Sequence, residues 1–176
     1  MAPTPDPVIE QKMAEKPQAT TAELIAHYLP PEVLDRLQQT VAECETQHTG
    51  QLLLCIEASL PPSYVERNAT PRERAMKLFG KYGVWDTEDN NGAMLYLLMD
   101  RHCIELVADR ALHRKVAQEE WTAIVQQLCE ALRTAQYESG LKAALQQISS
   151  HQIRHFPADG NHVRENTVPD KPLVLR

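Results

Sequence analysis

Residues 83–108 of the chain read GVWDTEDNNGAMLYLLMDRHCIELVA. Two apolar runs, 93–99 and 103–108, are separated by three polar residues, and a split this short predicts an antiparallel β-hairpin. The residues before the first run, 83–92, are polar and rich in acidic side chains and asparagine. The stretch therefore predicts a hairpin with an acidic loop at its entrance.

A further strand and a helix are predicted upstream of the hairpin. Residues 52–56 are continuously apolar, which is typical of a short strand covered on both faces. Residues 70–73, Thr-Pro-Arg-Glu, supply an N-cap, a proline at the first helical position and a glutamate at the third. Because a helix then connects this strand to the hairpin, the first two strands are expected to run parallel.

Apolar residues spaced by three or four positions predict the remaining helices. One begins after Thr20, one at Pro31, one at about Ala117 and one at about Tyr137. The resulting order of elements predicts a layered α/β sandwich around a small mixed sheet.

The chain is expected to form one domain with two extensions. Residues 1–19, with several prolines, are expected to be a flexible leader, and residues 20–150 the folded α/β domain. Residues 151–176 are expected to form a C-terminal tail that is partly ordered at best. Its apolar residues 173–175 either dock on the domain or stay loose.

Composition excludes several classes of function. Among 176 residues, 24 are acidic and 18 are Lys or Arg, and this net charge of −6 disfavours a nucleic-acid partner. No apolar run approaches the roughly 20 residues that span a bilayer, and no signal peptide is recognised, so a cytoplasmic protein is expected. The four cysteines lack the spacing of a zinc site and are expected to be free thiols.

The acidic loop is the strongest candidate for chemistry. Asp86 and Asp89 precede the second strand, and the returning third strand should bring Asp109 and Arg110 beside them. Carboxylate and amide oxygens gathered at one point suit Ca²⁺ or Mg²⁺. The alternative is a solvated turn, because Asp, Asn and Gly are common in tight loops. Arg110 could hold an oxyanion or only neutralise its neighbours.

These motifs carry a family resemblance. The run 83–98, residues 104–110 and the segment Tyr137-Glu138-Ser139-Gly140-Leu141 resemble the TPM domain family over roughly residues 31–150. The resemblance implies a three-layer α/β/α Rossmann-like sandwich with helices on both faces. Relatives include thylakoid acid phosphatase-like proteins and membrane-anchored modulators, whereas this chain is expected to be a soluble bacterial-type member without a signal peptide or membrane anchor.

The resemblance also implies a site and a function. By position, Asp86, Asp89, Asn90 and Asp109 would bind a divalent cation, Ca²⁺ or Mg²⁺. The expected function is a cation-binding interaction or adaptor module for a protein partner, with a membrane-associated partner as one option. The alternative is a metal-assisted acid phosphatase acting on phosphate esters, so whether the chain is an enzyme is left open. Residues 28–31, Tyr-Leu-Pro-Pro, replace the Asp-rich approach to the first helix seen in many relatives.

Overall fold

A computed structural model describes residues 20–160, residue 166 and residues 168–175 of the chain. The predicted leader, residues 1–19, lies outside the described residues. The helices and strands of the described part, in chain order, are α1 Thr21–Tyr28, α2 Pro31–Glu45, β1 Leu52–Glu57, α3 Pro62–Glu66, α4 Pro71–Lys81, β2 Ala93–Leu98, β3 Cys103–Ala108, α5 Arg110–Lys115, α6 Gln118–Arg133, α7 Tyr137–His155 and β4 Leu173–Leu175.

The four strands form one mixed sheet in the order β3-β2-β1-β4. Strands β1 and β2 are parallel, with Leu52 opposite Ala93, and β2 and β3 are antiparallel, with Ala93 opposite Ala108. The predicted crossover and hairpin are therefore confirmed. Strand β4 pairs parallel with β1, so residues 173–175 dock on the sheet.

Every residue of β1 and β2 is buried, because helices cover both faces of the sheet. Alternate residues such as Leu54 and Leu95 pack in a core with helices α1, α2, α6 and α7. The residues between them, such as Cys55 and Met94, pack in a second core with α4. The predicted three-layer α/β/α sandwich is thus the fold of the chain. No helix in the described part of the chain is both long enough and apolar enough to cross a bilayer.

Some boundaries differ from those that periodicity predicts. The apolar stripe from Pro31 extends to His48, but α2 ends at Glu45, and His48 forms a β-bridge with Pro157. The buried side chain of Glu45, the last residue of α2, accepts a hydrogen bond from Leu52 N (2.6 Å) and so joins the end of the helix to the start of β1. At the other end of the domain, α7 continues past residue 150 to His155. The short helices α3 and α5 have too few residues to produce a recognisable period.

A buried ion pair closes the carboxyl end of β1. Glu57 is buried there and accepts hydrogen bonds from Arg74 Nη2 (2.6 Å), Arg74 Nε (3.0 and 3.1 Å) and Tyr96 Oη (2.6 Å). Burial, followed by the contact with Glu57, raises the pKa of Tyr96, so its hydroxyl stays a donor. Helix α4 is in this way joined to both central strands.

We expect Arg74→Met to destabilise the protein by about 3–5 kcal/mol, because it leaves the Glu57 carboxylate buried with its main cationic partner removed. Arg72→Met is the matched control: Arg72 lies on the same helix and pairs with Glu105 at 3.4 Å, but half of its side chain is exposed, so about 1 kcal/mol or less is expected. Urea unfolding measures both. Equal losses in the two variants would contradict the importance of the buried pair.

Candidate functional site

The acidic loop is held by short-range hydrogen bonds. Asn91 N donates to Thr87 Oγ1 (3.0 Å), and Asn90 N donates to the carbonyl oxygen of Thr87 (3.2 Å). Asn90 adopts a left-handed backbone with φ of 51°, which asparagine tolerates better than most residues. The turn leaves Asp86, Asp89 and Asn90 exposed to solvent and Asn91 buried.

The end of β3 lies directly beside this loop. Asp109 N donates to Gly92 O (2.8 Å), and Ala111 N donates to Asn90 O (3.0 Å). These two hydrogen bonds flank Asn91 and place Asp109 next to the loop, as the predicted antiparallel return requires. The structure therefore brings the loop residues and Asp109 to one rim of the sheet.

Asp109 has a carboxylate whose two oxygens lie in different surroundings. Oδ1 accepts a hydrogen bond from Arg110 N (2.7 Å) and caps α5. Oδ2 is buried and has no hydrogen-bond partner among the described residues, and the whole residue is only 9% exposed. An ionised oxygen in such a place is costly unless a cation or a donor compensates it.

A chain of polar contacts links the loop to the start of β1. Thr49 Oγ1 donates to Asp89 Oδ2 (2.8 Å), and Asn91 Nδ2 donates to Thr49 Oγ1 (2.8 Å). This orientation leaves Asn91 Oδ1 buried and without a partner in the described part of the chain. Sequence reasoning did not assign Thr49 and Asn91 to the site, although both lie within motifs that carry the family resemblance.

A closely packed polar layer supports the loop from below. Gln152 Nε2 on α7 donates to both Asn91 O and Gln51 O (3.0 Å each). A Cβ atom at Gly50 would lie 2.6 Å from Asn91 O and 2.8 Å from Gln152 Nε2, so this position requires glycine. Asn91 is therefore held in place by residues 49–50, which precede β1, and by α7 as well as by its own turn.

The predicted carboxylate ligands, Asp86, Asp89 and Asp109, do not form one compact group. Among the described residues, no group of three or more His, Cys, Asp and Glu side chains is placed to hold a metal ion. Asp86 is exposed, and its backbone N–H donates to Gly83 O (3.0 Å). Any cation at this rim would also need amide, hydroxyl, carbonyl or water oxygens, and Ca²⁺ accepts all of these.

His48 lies one residue before Thr49 and is 1% exposed. Burial lowers the pKa of His48 to about 4, and a backbone contact with Gly50 offsets only part of this effect. The imidazole is therefore neutral at neutral pH, and its protonation would place a charge in the protein interior next to the backbone of Gly50.

The chain is similar to a known protein family and to a solved structure. A family model described as TPM domain matches residues 25–151. The NMR structure of BA42 protein from the psychrophilic bacterium Bizionia argentinensis aligns with a TM-score of 0.70 at 15% sequence identity, covering 81% of this chain and 92% of that chain. At this identity the likeness shows a shared fold. The search of curated proteins gives no match.

We expect acid to destabilise the protein through His48. Between pH 6.5 and about 4 the unfolded chain binds a proton that the folded chain does not, so the free energy of unfolding falls as the pH falls, by up to about 3 kcal/mol. Urea unfolding at pH 7, 5.5 and 4.5 measures the slope. His48→Leu should flatten it, and the exposed His113→Leu should not. Equal slopes in wild type and His48→Leu would contradict the assignment.

Proposed function

Because this chain belongs to the TPM domain family, whose model spans residues 25–151, we propose that it is a divalent-cation-binding module that presents its acidic loop to a protein partner. The proposal depends on one observation: Asp109 Oδ2 is buried and has no hydrogen-bond partner among the described residues. It lies at the rim where the chain also exposes Asp86 and Asp89.

The oxygens at this rim suit a hard cation. Asp109 Oδ2 and Asn91 Oδ1 are both buried without a hydrogen-bond donor from the described chain. Asp89 and Asn90 are tied to the same rim through Thr49 and Ala111. Ca²⁺ and Mg²⁺ take carboxylate, amide and water oxygens, and Ca²⁺ tolerates an irregular arrangement of them better. We assign Asp86, Asp89, Asn90 and Asp109 as ligands, with Asn91 as an addition.

A bound cation would change what the loop offers to a partner. It would neutralise part of the negative charge of residues 86–89 and hold the turn against the end of β3. Trp85, directly before the loop, is 53% exposed, and its indole Nε1 donates to Gly80 O (3.1 Å). Exposed tryptophan is enriched at the energetic centres of protein interfaces. The loop and Trp85 together would form the contact surface for a protein partner.

We expect CaCl₂ to raise the melting temperature, because binding to the folded state alone stabilises it by about 2.7 kcal/mol at a free concentration of 100 times Kd. Asp109→Asn should abolish the shift while keeping the helix cap, since asparagine also caps helices. The control Asp35→Asn removes an exposed carboxylate on α2 and should leave the shift unchanged.

The same titration with MgCl₂ ranks the two cations. No shift with either cation at millimolar concentration would overturn the cation site. A shift of equal size in Asp109→Asn would place the cation elsewhere on the protein.

A metal-assisted acid phosphatase is the second candidate, and exposed Arg110 directly after Asp109 is the observation that favours it. The cation would supply Lewis-acid activation of a phosphate ester, and Arg110 would hold the ester oxygens. Hydrolysis of p-nitrophenyl phosphate tests this candidate. Intrinsic activity should disappear in the double variant Asp86→Asn, Asp89→Asn and fall in Arg110→Met. Turnover that persists in both variants would count against an active site at this rim.

A further inference from the structure

A cavity of about 600 Å³ opens at the other end of β2 from the acidic loop. It is lined by Leu97, Leu98 and Met99 at the carboxyl end of β2 and by His102 and Ile104 of the hairpin. Open α/β sheets commonly bind small molecules beyond the carboxyl ends of their parallel strands. The volume lies within the range of small-molecule sites, roughly 300–1,000 Å³.

The wall of the cavity is mainly apolar. Helix α6 contributes Cys129 and Leu132, and the aromatic side of the wall is formed by Tyr28 and Tyr137. These two rings stack with their centroids 4.3 Å apart and their planes at 18°. Because Tyr28 ends α1 and Tyr137 begins α7, the stack holds the end of one helix against the start of the other. The body of a ligand at this site would therefore be apolar.

The lining carries one charged side chain of each sign, Arg133 and Glu130, and the two form an ion pair. The Arg133 side chain is 33% exposed and the Glu130 side chain, 3.5 Å from it, is 70% exposed, so the cation is the less exposed member of the pair. His102 adds an imidazole from the hairpin turn, at a left-handed position with φ of 47° where glycine is the usual residue.

Carbonyl groups at the end of α6 accept hydrogen bonds from the backbone that follows the helix. Thr134 N donates to the carbonyls of Glu130 (3.3 Å) and Ala131 (3.2 Å), and Gln136 N donates to Ala131 O (2.8 Å). Together with Ala135 N, which donates to Leu132 O (3.1 Å), these bonds occupy three of the last four carbonyls of the helix. Arg133 then provides the least exposed full charge among the residues that line the cavity.

We propose that this cavity binds a small amphipathic acid. Its apolar body would lie against Tyr28, Tyr137 and the end of β2, and its carboxylate would meet Arg133, with His102 beside it. This site is separate from the acidic loop, so the proposal holds or fails independently of cation binding.

Decanoate and decan-1-ol, below their aggregation limits, are the probes, since they share a chain and differ in the charged head. With the full-length ¹⁵N-labelled chain, decanoate should shift the amide signals of residues 97–104 and 129–137. It should bind about tenfold or more tightly than decan-1-ol, because a charge-assisted hydrogen bond is worth at least about one factor of ten.

Matched variants locate the head and the body of the ligand. Arg133→Met should weaken decanoate about tenfold and leave decan-1-ol unchanged, whereas Arg114→Met, an exposed arginine on α5, should change neither. Cys129→Phe should fill the cavity and abolish binding of both probes, with Leu132→Trp as a second filling variant if the first does not fold. Met76→Phe, on the exposed face of α4, is the control for added volume.

Shifts confined to residues 97–104 and 129–137, lost in a filled variant that still folds, support the site. Equal binding of the acid and the alcohol, or no effect of Arg133→Met, overturns the assignment of an acid as ligand. No saturable shifts at millimolar decanoate, or shifts centred on the acidic loop, overturn the cavity as a binding site.

Discussion

The complete burial of β1 and β2 is the constraint on which the rest of the structure depends. Strands covered on both faces can carry polar side chains only at their ends, and those side chains must find partners inside the protein. Each end of the central sheet accordingly holds a buried carboxylate, Glu57 at one end and Asp109 at the other. Their different surroundings distinguish a structural end from the end proposed for cation binding.

Glu57 is satisfied by the protein itself. Arg74 and Tyr96 donate to both of its oxygens, which leaves no capacity for an external ligand there. Asp109 uses one oxygen as a helix cap and keeps the other buried without a partner in the described residues. The Glu57 carboxylate is therefore neutralised by Arg74 within the fold, whereas Asp109 Oδ2 has no hydrogen-bond donor among the described residues.

The two proposed sites are independent for a geometric reason. The acidic loop lies before the first residue of β2, and the apolar cavity lies at its last residues, so a rigid buried strand separates them. A close-packed polar layer of Gly50, Asn91 and Gln152 supports the first, and the stacked rings of Tyr28 and Tyr137 border the second. Neither set of contacts shares a side chain with the other.

The sequence by itself determined the first three strands, their parallel and antiparallel pairing, and the return of Asp109 to the acidic loop. These follow from periodicity, from caps such as Thr70 and from the length of the connections, which are local properties. Only the tertiary structure decided that Thr49 binds Asp89, that one oxygen of Asp109 lacks a partner among the described residues, and that residues 173–175 join the sheet. Such contacts join residues far apart in the chain, and they depend on side-chain packing that no local pattern records.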